Sequence, residues 1–347
     1  MSSNEEQTLI AGVPMQIIGP AKWVFNGQTE DVYFPLATYE SPLWPSTNRG
    51  ARVSQKTSGI HCTVTDERMT RSILVEAQTA EACHAACRGI MDRRKELEPL
   101  VEETSRFARL IDLHPQQVGS MLFLRLEFHT GDAAGHNMVT KASQRIQEWI
   151  LQEYRELRYL SVSGNYCADK KVSAVNGILG RGKYVVSELT IPEKICRRYL
   201  KATPAEIVEI NIKKNLVGSI LAGGLRSANA HVANTLLAFY LATGQDAANI
   251  VEGSQGMTFA ELRGSDLYFS LTLPNVIVGT VGNGKDLDFV RANLEQLGCT
   301  KVREPGENSR RLAAVCTAAA LCSELSLLAA LTNPGELMEA HLKLERA

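Results

Sequence analysis

The spacing of apolar positions changes several times along the chain, and each change marks an expected element. Residues 8–40 carry short apolar runs broken by Gly12, Pro14, Gly19, Pro20 and Gly27, which predicts irregular structure and short strands ending at 35–40. Ile73-Leu74-Val75 predicts a short strand, and Thr79 is placed to cap a helix running to about Leu100. Strands follow over 107–113 and 121–128, separated by Pro115 and Gly119. Met138, Ala142, Ile146, Trp149 and Ile150 recur at three or four and predict a helix over 137–157, after which 158–162 reads as a strand. That order, β-α-β-β-α-β, is the split βαβ or ferredoxin-like arrangement.

The second half predicts a short helix over 192–201, a strand over 207–212 from alternating Val, Ile and Glu, and a small, flexible stretch over 218–224. A helix over 228–242 carries His231 and Asn234 one turn apart, and strands are expected over 267–273 and 276–281. Residues 312–331 are nearly all apolar. Their alanine content, and Glu324 flanked by Ser323 and Ser326, favour a buried core helix over a membrane span. The expected fold class is α+β. A large substrate-binding domain (1–71 and 172–347) is interrupted by a small inserted cofactor domain (72–162), with 163–171 as the connecting loop.

Charge and cysteine content narrow the function. With 22% charged residues and a net charge of −1, the 347-residue chain lacks the basic excess of a generic nucleic-acid binder. Its eight cysteines have no framework spacing, which suits a reduced, cytoplasmic protein. Cys83 and Cys87 lie four apart and are read as helix packing, with no metal site expected. Residues 1–7 are polar and acidic, unlike a signal peptide, and no membrane association is expected.

Several short stretches carry candidate chemistry. Ser163 to Lys171 (SGNYCADKK) places adjacent lysines after a Gly-Asn turn and a carboxylate, which suits a loop presenting cationic donors to an anion or developing oxyanion. Glu40 follows a mostly apolar run, and Ser46-Thr47-Asn48-Arg49-Gly50 has a turn composition able to grip phosphate. Gly177 to Lys183 approaches the phosphate-cradling P-loop, but Tyr184 replaces its hydroxyl, so a plain glycine turn is expected. The G-x-G-x-x-G fingerprint is absent, which makes any nicotinamide site non-Rossmann. Gly279-Thr280-Val281-Gly282-Asn283-Gly284 would let a ligand approach the backbone.

Together these stretches resemble the 3-hydroxy-3-methylglutaryl-coenzyme A (HMG-CoA) reductase family. Matching segments run in order from Ala37-Thr38…Glu40 and Ser46–Gly50 through Met69-Thr70-Arg71, Ser105–Leu110, Gly131–Met138, Ser163–Lys171, Gly180-Arg181-Gly182-Lys183, Lys214–Gly218, Asn229–Asn234, Gly244-Gln245-Asp246 and Gly279–Gly282 to Glu324–Leu327. The resemblance implies NADPH-dependent reduction of HMG-CoA to mevalonate and CoA by two hydride transfers. It assigns Lys170 to the developing oxyanion, Glu40 to proton supply, Asp246 to tuning that pair, and His341 to protonating the departing CoA thiolate. It implies cofactor contacts from Ser105, Arg106, Asp132, Gly135, Asn137, Met138, Gly244, Gln245 and Gly282. Hydroxymethylglutaryl contacts are implied from Arg71, Ser163, Asn165, Asp169, Lys171 and Lys214. The CoA side falls to Ser46, Asn48, Arg49, Lys201, His231 and Asn234. Active sites at a homo-oligomer's dimer interface are also implied.

The chain departs from the family's pattern at Ser41-Pro42, His136, Arg226-Ser227, Ile250 and Asn283. These positions keep two further readings open: a divergent reductase of another acyl-CoA thioester, and a CoA-binding protein without turnover.

Overall fold

In the computed structural model, residues 10–345 are described, apart from the side chains of 340, 341 and 343–345. The N-terminal region is more regular than its broken apolar runs predict. Strands β1 (Met15–Phe25) and β2 (Gln28–Ala37) pair antiparallel as a long hairpin. Its turn is Asn26-Gly27, with φ of 50° and 75°, the left-handed pair that a two-residue type I′ turn requires. Ser46–Gly50 forms no turn and instead lies on helix α1 (Leu43–Ser54). A Cβ on Gly50 would stand 2.3 Å from the Cys322 carbonyl oxygen, so this glycine is there for close helix packing.

Strand β3 (Ile60–Glu76) is 17 residues long, so the expected short strand at 73–75 is only its end. Its first half pairs with β1 and with β7 (Gly182–Ile191). Its second half pairs antiparallel with β5 (Met121–His129) and β6 (Arg158–Ser161). β4 (Arg109–Val118) pairs only with β5, and as an edge strand it runs straight through Pro115, whose missing N–H costs no ladder bond. β9 (Asp266–Val276) lies between β7 and β8 (Met257–Arg263). β9 continues past Pro274, and 277–281 forms no strand of its own, contrary to the pattern.

Two apolar cores lie along this sheet. The smaller packs β3 to β5 against helices α2 (Ala80–Asp92) and α3 (His136–Glu153), with Ile73, Leu124, Phe128, Ile146 and Ile150 fully buried. The expected helix to Leu100 breaks at Asp92 and resumes as a short helix at Leu97–Glu102. The larger core surrounds α6 (Glu307–Leu331), which is long and apolar enough to cross a membrane yet is 94% buried over that window.

The expected strand at 207–212 is helical. Thr203 and Glu206 form a reciprocal capping box, with Pro204 at the first turn of α4 (Pro204–Ile210), and the chain stays helical through Asn211–Gly218 and Ser219–Leu221. Helix α5 (Val232–Ala242) precedes the Gly244–Asp246 turn, and α7 (Glu336–Glu345) ends the described chain.

Candidate active site

The connecting loop is held by backbone strain and buried charge. Asn165, Ala168 and Lys170 have φ of 62°, 45° and 55°, an unfavourable region for residues with a Cβ. The strain persists because surrounding groups over-determine the path. Asn176 Nδ2 donates to Ala168 O at 3.0 Å, Arg125 Nη1 reaches Tyr166 O at 3.4 Å, and the Lys170 N–H donates to Glu252 Oε1 at 3.1 Å. Cys167 and Ala168 are buried, which turns Lys170 outward.

The Lys170 ammonium meets Asp246 Oδ2 at 2.8 Å. The hydrogen bond it donates to Asp246 holds the lysine above its ordinary pKa, against desolvation. Asp246 sits below its ordinary value. Burial, the largest influence, pushes its carboxyl up, but bonds from Lys170 and from the Ala248 N–H outweigh it together. Lys170 therefore stays charged at neutral pH, the state an oxyanion needs.

Beneath this pair lies a buried ionic layer that the sequence did not signal. Arg181 is fully buried. Its Nη1 donates to Glu252 Oε1 at 2.7 Å, its Nη2 lies 2.9 Å from Asp169 Oδ1, and its Nε reaches Thr70 Oγ1 at 3.2 Å. Desolvation raises the Glu252 pKa despite Arg181. Arg181 belongs to the Gly180-Arg181-Gly182 stretch read as a plain turn; nothing around Glu252 marked it from sequence. Lys171 folds back onto Asp169 O at 3.0 Å. Arg71 approaches Ser163 Oγ at 3.4 Å and shares Thr140 Oγ1, a hydroxyl the sequence reading missed.

The expected cofactor residues gather beside this layer. Gly135, with φ of 97°, opens α3, which begins with His136, Asn137 and Met138. A Cβ on Gly279 would lie 2.3 Å from Ala134 N, so the 131–135 turn and the 279–282 segment touch backbone to backbone. Asp132 Oδ1 accepts the Ser309 N–H at 2.9 Å, and so ties the turn to the start of α6. Gln245 Oε1 accepts Gly279 N–H at 2.9 Å. A Cβ on Gly244 would stand 2.2 Å from Gly284 O, whereas the space before Gly282 is open. Ser105 and Arg106 adjoin the turn through Phe107, 3.7 Å from a Cβ on Gly131, and the Arg106 guanidinium lies over that ring at 4.7 Å.

A separate cavity of about 400 Å³ collects Glu40, Ser46, Arg49, His231 and Asn234 between α1, α5 and α6, with Ser326 and Glu336 in its wall. Fully buried Glu324 accepts the Ala230 and His231 N–H groups, both at 2.7 Å, and Ser323 bonds the His231 ring at 2.9 Å. The polar residues that argued against a membrane span thus orient a site histidine. Arg49 is held by Ser326 and by Glu336 of α7, the latter at 2.5 Å. Asn48 is on α1 but does not line the cavity, nor does Lys201, whose carbonyl accepts the Asn333 amide at 3.1 Å, and Lys214 bonds its neighbour Asn215. Glu40 has no ion-pair partner among the described residues, and no bond joins it to Lys170. His341 lies on α7, with its side chain outside the described residues.

A cationic donor tuned by a carboxylate, next to glycine turns open to a ligand, is the equipment of an enzyme that stabilises charge on a reacting oxygen. Comparison with known proteins makes this specific. A family model, hydroxymethylglutaryl-coenzyme A reductase, matches residues 5–346. The chain is 42% identical over 336 residues to 3-hydroxy-3-methylglutaryl-coenzyme A reductase of Aeropyrum pernix, covering 96% of this chain and 79% of that protein. It is also 42% identical over 342 residues to the reductase of Pyrococcus horikoshii, covering 97% and 82%. The chain belongs to the hydroxymethylglutaryl-coenzyme A reductase family. Its fold is similar to the class II reductase of Streptococcus pneumoniae bound to NADPH in open conformations, with a TM-score of 0.74, 19% identity, and coverage of 96% of this chain and 88% of that one.

Proposed function

We propose that this protein reduces HMG-CoA to mevalonate and CoA with two molecules of NADPH. The observation that carries the reading is the Lys170–Asp246 pair at 2.8 Å, presented by a strained loop beside the glycine turns. The open backbone at Gly282 and the close-packed turn at Gly135 suit a dinucleotide. Bound there, the cofactor supplies hydride to the thioester carbon and then to the aldehyde carbon.

The chain's residues do the rest. The Lys170 ammonium stabilises the oxyanion in both steps, and Asp246 keeps it charged. Glu40 supplies the proton for aldehyde reduction, and His341, on the terminal helix, protonates the departing thiolate. Arg71, Ser163, Asn165, Asp169, Lys171 and Lys214 hold the hydroxymethylglutaryl group. Ser46, Asn48, Arg49, Lys201, His231 and Asn234 hold CoA, while Ser105 and Arg106 take the 2′-phosphate that separates NADPH from NADH.

The family resemblance implies active sites at a dimer interface, and on this reading the site is completed in a homo-oligomer, where the Glu40 cavity of one protomer faces the Lys170 loop of its partner. Residues 72–162 act as an inserted cofactor domain of split βαβ type, supported by the strand order β6-β3-β5-β4. Eight free cysteines suit a reducing, cytoplasmic setting.

Following NADPH oxidation with HMG-CoA tests the reading, and two NADPH consumed per mevalonate is the expected result. Turnover of another thioester instead would make the protein a divergent acyl-CoA reductase. CoA binding without turnover of any thioester would leave it a binding protein.

A further inference from the structure

The roles above leave one buried, chemically able side chain unused. His136 is the first residue of α3, directly after Gly135. Its Nε2 is buried without a hydrogen-bond partner and lies 3.8 Å from Asp169 Oδ1, while the side chain as a whole is 22% exposed. The charged groups facing it come from every neighbouring element: Asp169 and Lys170 from the connecting loop, Arg181 from the start of β7, and Asp246 from the turn after α5.

A carboxylate oxygen on the Nε2 side favours the tautomer with its proton there. Nδ1, the ring nitrogen not enclosed, then carries a lone pair. Burial first, and the Arg181 charge second, push the imidazole down to about 4, so it is neutral at neutral pH and Nδ1 remains an acceptor. The tautomer, the burial and the neighbouring charges leave one unused acceptor beside Lys170.

The next step rests on the reductase reading given above. Hydride transfer to a carbon whose oxygen rests on Lys170 needs the reacting atoms roughly 3–3.5 Å apart. A cofactor held on the 131–138 turn would bring its nicotinamide end toward Lys170, and His136 stands between the two, facing Asp169 and Lys170. That end of the cofactor carries a single N–H donor group, its carboxamide. We infer that His136 is a cofactor-contacting residue, with Nδ1 accepting a hydrogen bond from the nicotinamide carboxamide and the nearby Asp169 carboxylate favouring the tautomer that leaves Nδ1 an acceptor.

The test pairs two cofactors with two variants of the full-length protein. NADPH is compared with the reduced 3-acetylpyridine analogue, in which a methyl ketone replaces the carboxamide and no N–H remains. His136→Met should weaken NADPH binding about tenfold, the scale of one hydrogen bond, in a fluorescence titration without thioester, lower kcat/KM for NADPH to match, and leave both values for the analogue unchanged. His136→Asn, whose amide oxygen can stand where Nδ1 does, should restore most of the NADPH value. Equal losses with both cofactors would overturn the contact and leave His136 a packing residue. A rise in KM for HMG-CoA alone would overturn it in favour of a substrate hydroxyl. If the variants fail to fold, the unaltered protein still decides the matter, because equal Kd for NADPH and for the analogue, titrated without thioester, excludes the bond. Absence of turnover by the unaltered protein with either cofactor and any thioester would instead remove the reductase reading, and this contact with it.

Discussion

The two halves of the candidate site are built on opposite principles. Around Lys170, charge is buried and the backbone is strained: Arg181 and Glu252 are both fully buried, and Asn165, Ala168 and Lys170 occupy left-handed conformations. Glu40 stands on the short link between β2 and α1, and the cavity beside it is walled by helix residues, Leu43, Leu327 and Ala330, with polar groups at chosen points. The first arrangement fixes a charge to a point. The second provides room and surface, and the Arg49–Glu336 pair in its wall is part-exposed, its side chains at 22% and 24%. A reacting oxygen needs the former and a long thioester the latter.

This contrast can be broken by mutation. Lys170→Ala should have the largest effect on activity, a loss of about 10³-fold or more in kcat, because an oxyanion donor is removed. The loss should appear with both thioester and aldehyde substrates. The thermal midpoint should hold, since the Lys170–Asp246 pair is part-exposed, at 43% and 41%. Retention of aldehyde reduction would sink the shared role.

Arg181→Met should instead act on stability, by about 3–5 kcal/mol, because it leaves Glu252 buried and unpaired. Denaturant titration measures this, and an unchanged midpoint would show that the ionic layer does not hold the loop. On the cavity side, His341→Ala should slow thioester reduction by about 10²-fold and spare a supplied aldehyde. Equal slowing of both half-reactions would remove the thiolate role.

A smaller effect sharpens the comparison through pH. The His136 pKa is lower in the folded protein, about 4, than its usual 6.5 in an unfolded chain. Between these values the unfolded chain binds more protons, so stability is full above about pH 6.5 and falls as pH drops toward 4. The loss reaches at most about 3 kcal/mol. His136→Met should flatten the stability profile in that window, and a profile identical to the unaltered protein's would show that the imidazole is not buried as described. Least of all, Glu336→Gln should loosen α7 by under about 1 kcal/mol, as expected for a part-exposed pair, seen as faster proteolysis of the C-terminal helix.

Much of this was legible, though unevenly. The SGNYCADKK loop stood out by composition, and Glu324 stood out because an acid in an apolar run must find donors. Other local signals compete with weaker ones. Asn26-Gly27 announces a hairpin, and Thr203-Pro204 with Glu206 announces a helix start that overrides the alternating Val, Ile and Glu of a strand. The Arg181–Glu252 pair had no local signal. Its partners are 71 positions apart, and burial of a charge is a property of the whole packed layer.

The sequence by itself determined the chemistry on offer: which residues can carry charge, where the chain must turn, and which family it resembles. Those are local facts, set by side-chain type and short-range backbone preference. Only the tertiary structure decided that Lys170 meets Asp246 while Glu40 stands apart from both, and that His136 faces Asp169. Such contacts join segments distant along the chain, and pairing along β3 and packing around α6 bring them together. The SGNYCADKK loop shows the division clearly. Composition marked it as cationic, but packing turned one of its two lysines toward a carboxylate and folded the other back on its own backbone.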